Sequence, residues 1–167
     1  VPVNFDPSSR SLLTHRDLGR FVGETLFARV ARAACEAECL PRKELFESWE
    51  VARRVRRRIR GHRVVELAAG HALVAHLLLL LDASSKSAVA IDAKRISSAD
   101  TLAGRLVSRW PKLEGRVERR VEDLAVHDAL EGVLAEAVDP GALERLVEVR
   151  AGHAGRARAG ERVTGAA

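Results

Sequence analysis

Methionine and tyrosine are absent from this chain, and aromatic residues make up only 4% of it. A surface that reads single-stranded nucleic acid by stacking bases on rings is therefore short of rings. Long apolar runs are missing too. The longest, Ala72 to Leu81, is interrupted by His76 and falls well below the roughly 18 residues a bilayer crossing needs, so no membrane association is expected. The opening VPVNFDPSSR lacks a basic stretch leading into an apolar one. No secretory leader is therefore expected, and the reading is a cytoplasmic protein. Cysteine is scarce, with only Cys35 and Cys39 present. Their CxxxC spacing matches the start of a CxxxCxxC cluster motif, but Arg42 at the third position removes that ligand set. The two are read as small, partly buried thiols in a reducing compartment. His71 and His76 come without a third ligand, so no metal is expected.

What is present is the balance of a globular domain. The chain has 167 residues, 47% apolar and 31% charged, enough for about one domain with a real core. Its net charge is +5 and its isoelectric point about 10. Arginine greatly outnumbers lysine, which suits an anionic partner such as RNA and equally suits GC-rich codon usage.

Residues 1–11 read as an irregular lead-in. Leu18, Phe21, Val22, Leu26, Val30, Ala33 and Ala37 fall at helical spacing, which predicts one amphipathic helix over Thr14 to Glu38. Pro41 opens a second helix with a face of Leu45, Trp49, Ala52, Val55 and Ile59, and Gly61 is its expected C-cap. The end of that helix, ARRVRRRIRGHR, is the densest basic run in the chain. Cations there suit the negative end of the helix dipole, and the competing reading is a patch that contacts RNA or another polyanion.

Val64, Val65 and Leu67 then predict a short buried strand, Ala68 to Ala72 a tight turn of small residues, and Leu73 to Leu81 a helix packed on the strand. A second strand, Ala88 to Ile91, closes on Asp92. A helix through Leu102, Arg105, Leu106 and Arg109 follows, with Ser97 or Ser98 as its cap. A weaker strand, Gly115 to Val121, leads to Glu122 and Asp123. Alternation of this kind argues for a parallel sheet with right-handed crossovers. Helices are expected over Asp128 to Val138 and Ala142 to Val149, and residues 151–167 are expected to be a disordered basic tail. The fold class is thus α/β, an incomplete Rossmann-like parallel sheet of three recognisable strands with an N-terminal helical pair. The expected organisation is a helical cap over 1–62, a Rossmann-like half over 63–124, a helical extension over 125–150, and the tail.

Small residues at the first turn let a ligand approach the backbone, and the helix behind them offers unpaired N–H groups. A carboxylate closing the second strand accepts from a ribose diol, and one past the third strand reaches an adenine amino group. On these residues, the segment from Arg42 to Leu124 resembles the front half of a class I S-adenosylmethionine-dependent methyltransferase. That family's first motif has an acidic residue followed by glycines at alternate positions, and here it reads Glu66, Leu67, Ala68, Ala69, Gly70, His71, Ala72. The resemblance implies S-adenosylmethionine as cofactor, with Glu66, Ala68, Gly70, His71 and Ala72 along its path, Asp92 at the ribose and Asp123 beside adenine. Alanine stands at two of the three glycine positions, which sets an expectation of negative φ or a narrowed path there. A dinucleotide site would want GxGxxG, and AAGHALVA supplies one of those glycines. The methyl acceptor is unassigned, as are catalytic residues and oligomeric state. The competing function is a non-catalytic module of the same fold that holds RNA or a protein through its Arg-rich helix.

Overall fold

The computed structural model describes residues 5–58, 60–61, 63–122 and 149–150. Asp123, Ile59, residues 125–148 and the tail over 151–167 lie outside them. No helix among the described residues is long and apolar enough to cross a membrane.

The sheet has four parallel strands: β1 (Val64–Leu67), β2 (Ala88–Asp92), β3 (Val117–Val121) and a two-residue β4 (Val149–Arg150). Their order is β3-β2-β1-β4. The fold is therefore α/β with an incomplete Rossmann-like parallel sheet. Strand β1 carries β2 on one side and β4 on the other, so the chain direction across the sheet reverses at β1, where open α/β sheets leave a crevice at their carboxyl ends. The expected helix ending at Val149 is corrected here, because Val149 and Arg150 pair with Glu66 and Leu67. Two residues are too short a run to carry a readable strand period.

Between the strands lie α3 (Leu73–Leu81) and α4 (Ser98–Arg109), preceded by α1 (Leu26–Ala37) and α2 (Arg42–Arg58). Helix α3 is apolar nearly all round and buried from Leu73 to Leu79, because α2 covers it on one side and β1 and β2 on the other. Helix α1 packs on α4. Cys35 is in the core, where burial pushes its thiol up to about 12; burial raises Cys39 as well, so neither is a ready thiolate.

The single helix expected over Thr14 to Glu38 is in fact two elements, a 3₁₀ segment over His15–Arg20 and then α1. Gly23 at φ +86° breaks the run, and the Thr25 side chain caps α1 by accepting from the N–H of Ala28. The apolar spacing persists across the break because Leu18 and Phe21 still pack on the same core. Most of the chain's few rings are here: Phe5, Phe21, Phe27 and Phe46 form a connected cluster, with Trp49 against Phe27. They serve packing in the cap rather than a stacking surface.

Candidate ligand cleft at the carboxyl edge of the sheet

Strand β1 ends at Leu67, and the next five residues turn back into α3. Ala68, Gly70 and Ala72 have φ of +52°, +54° and +57°. The expectation of negative φ at the two alanines is therefore overturned: the loop takes the left-handed conformation at alternate positions, whichever residue stands there. Left-handed backbone costs an L residue roughly 1–2 kcal/mol. Neighbouring contacts hold the loop in place against that strain. The Ala69 N–H donates to the Ile91 carbonyl at 3.0 Å, and the Ala72 N–H to the Ala69 carbonyl at 2.7 Å.

Two carboxylates organise this corner in different ways. Glu66 is fully buried, and its Oε2 accepts from the N–H of Ala75 at 2.8 Å. Ala72, at the N-cap of α3, has no side chain with which to cap, so Glu66 reaches across the loop and does it instead. Its other oxygen, Oε1, is buried without a hydrogen-bond partner. Burial pushes the Glu66 carboxyl up to about 8, against the pull of the helix N–H groups. Asp92 sits at the mouth. Its Oδ2 accepts from the N–H of Gly70 at 2.8 Å and its Oδ1 from the N–H of Lys94 at 3.0 Å, so it fastens the first corner to the second. Each oxygen keeps a further lone pair for a ligand hydroxyl.

An open cleft lies over these strand ends, with about 440 Å³ of space including solvent at its mouth. Gly70, Ala72 and Asp92, all expected at the site, line it together with Ala69 and Ala90. Glu66, Ala68 and His71 belong to the same corner but do not line it: Glu66 faces the α3 terminus, and the ring nitrogens of His71 meet Glu44 and Ser98. Asp123 lies outside the described residues.

The opposite wall was not foreseen. It is formed by Lys94, Arg95, Ile96, Arg119, Arg120 and Val121. Arg95 and Arg119 both pair with Asp100, and Arg120 with Glu118 at 2.7 Å. The signal was in the sequence, in the KR of IDAKR and the RR of RRVEDL. Both pairs sit at or just past the ends of adjacent parallel strands, and the register places Arg120 opposite Ile91 and Val121 opposite Asp92. The cleft therefore joins a small-residue floor, one hydroxyl-accepting carboxylate and a cationic wall. No family model, curated protein or solved structure matches the chain.

Proposed function

We propose that the chain is an S-adenosylmethionine-binding, methyltransferase-like domain, with Asp92 at the ribose diol and the Ala68–Ala72 loop under the methionine end. The observation that carries this reading is the left-handed backbone at 68, 70 and 72, which repeats the spacing of the glycines in the motif that this corner resembles. A loop in that shape presents its backbone to a ligand, and Asp92 is fastened to it through Gly70. In an active form, methyl transfer rests mainly on holding the sulfonium methyl in line with an acceptor, so positioning supplies much of the rate. Glu66 acts on the ligand only indirectly, by fixing the start of α3. Calorimetric titration with S-adenosylmethionine tests the reading: heat of binding is expected from the intact protein and its loss from Asp92→Ala, whereas no heat from folded protein removes the assignment.

The second reading, a binding module that holds a polyanion, is favoured by one observation. Arg57, Arg58 and Arg60 are exposed and make no hydrogen bond or ion pair among the described residues. Arg53 and Arg54 are held instead by Glu50, and Arg56 donates to the Leu81 carbonyl at 2.8 Å. RNA binding that falls when Arg57 and Arg58 are made neutral supports this module, and unchanged binding rejects it.

A further inference from the structure

Beside the cleft, three side chains from separate elements meet in a line. His71, in the loop after β1, has Nδ1 2.9 Å from Glu44 Oε1 of α2 and Nε2 3.0 Å from Ser98 Oγ of α4. When Glu44 is ionised and the ring is neutral, Nδ1–H donates to the carboxylate and the Nε2 lone pair faces the serine hydroxyl. A hydroxyl, a base within hydrogen-bond reach and a carboxylate that orients the base are the parts of an activated nucleophile.

We propose that Ser98, His71 and Glu44 form a nucleophilic relay that takes acyl groups from carboxylic esters with good leaving groups. Ser98 is only partly buried while His71 is buried, so the hydroxyl is the more reachable end. Ser98 is also the first residue of α4, and its own N–H has no acceptor among the described residues. That N–H, at the positive end of a 12-residue helix, is placed to donate to a developing oxyanion. Gly70 and Ile96, which line the cleft, precede His71 by one residue and Ser98 by two, so the relay stands on the flank of the cleft.

In the reaction, Ser98 Oγ bonds to the ester carbonyl carbon as its proton passes to His71 Nε2. The carbon–oxygen bond to the leaving group breaks, and the departing alkoxide takes that proton. Water then bonds to the acyl carbon and gives a proton to Nε2. The bond to Ser98 Oγ breaks, the serine takes the proton back, and the carboxylic acid leaves. Ser98 and His71 touch the reacting atoms; Glu44 is a positioning residue.

The test uses the full chain and a fluorophosphonate, in which Ser98 Oγ bonds to phosphorus and fluoride leaves. Intact-mass measurement followed by peptide mapping is expected to show one adduct, on Ser98, absent from Ser98→Ala and unchanged in Ser97→Ala. The labelling rate is expected to fall about 100-fold or more in His71→Gln, the usual size of a lost general base. It should fall about tenfold or more in Glu44→Gln and recover in part in Glu44→Asp, which restores the carboxylate. No adduct on folded protein, an adduct elsewhere, or labelling of His71→Gln at the unmodified rate overturns the proposal. Should His71→Gln lose its helical circular dichroism, the Glu44→Gln and Glu44→Asp pair decides: equal rates for the two overturn it.

Discussion

Two strand-to-helix corners sit side by side at the carboxyl edge of the sheet, and they solve the same problem differently. The first runs from Glu66 to Ala75 and is mostly buried, with three left-handed residues and a carboxylate folded inward onto the helix terminus. The second runs from Asp92 to Thr101 and is largely exposed, with two cations after its carboxylate; Ser97 stands at the N-cap of α4 without a side-chain cap. Asp92 belongs to both, through Gly70 and Lys94. The first corner is held by the core and sets the shape of the floor, whereas the second is held by polar contacts at Asp92, Ser98 and Asp100 and sets the charge of the wall. Substitutions should therefore divide between them, those in the first changing stability and those in the second leaving it nearly untouched.

The largest expected effect is at Glu66. Glu66→Ala strands the Ala75 N–H and opens a cavity, and urea denaturation should show a loss of roughly 3 kcal/mol. Glu66→Gln keeps the volume and an acceptor but cannot ionise, which isolates the proton. With its pKa raised from 4.5 to about 8, the folded state holds a proton that the unfolded state has released between those values. Fewer protons bound when unfolded means that stability falls as pH rises through this window and levels off above it. Urea midpoints at pH 5 and pH 9 should therefore differ more in the parent protein than in Glu66→Gln.

Smaller effects follow along the loop. A Cβ on Gly70 would meet Glu44 Oε1 at 3.7 Å, an ordinary contact, so Gly70→Ala should lose only the left-handed strain, roughly 1–2 kcal/mol. Ala68→Gly should move the other way, because Ala68 is exposed and already carries that strain. The gain, read as a rise in melting temperature, should stay below about 1 kcal/mol once the entropy of an added glycine is subtracted. The smallest effect is expected in the second corner, where Lys94→Ala and Arg95→Ala should each change stability by less than about 0.5 kcal/mol. A loss above 1 kcal/mol at either would erase the distinction between the corners.

Much of this fold was legible in the sequence, for a physical reason. The run from Val64 to Asp92 alternates short apolar strands with one helix, and local pattern decides both, so Val64–Leu67, Leu73–Leu81 and Ala88–Asp92 fall where the apolar spacing puts them. Gly70, Ala72 and Asp92 meet at one cleft because a parallel sheet brings its strand ends to one edge. What escaped the sequence depends on contacts distant along the chain. The inward turn of Glu66 follows from Ala72 having no cap to offer, and the ring of His71 is placed by Glu44 and Ser98, each 27 residues away. The cationic wall needs the register between β2 and β3, and β4 is too short to carry a pattern. Composition blurred the N-terminal helices, since apolar spacing continues through Gly23 although the backbone does not.

The central claim is that the two corners together make an adenosine-reading cleft, with Asp92 joining floor to wall. The most direct measurement is isothermal titration of S-adenosylmethionine into the parent protein and Asp92→Ala, with circular dichroism to establish that both are folded. Saturable binding to the parent and its loss in Asp92→Ala is the predicted result. A folded parent that yields no heat, or equal affinity in the two proteins, would contradict it.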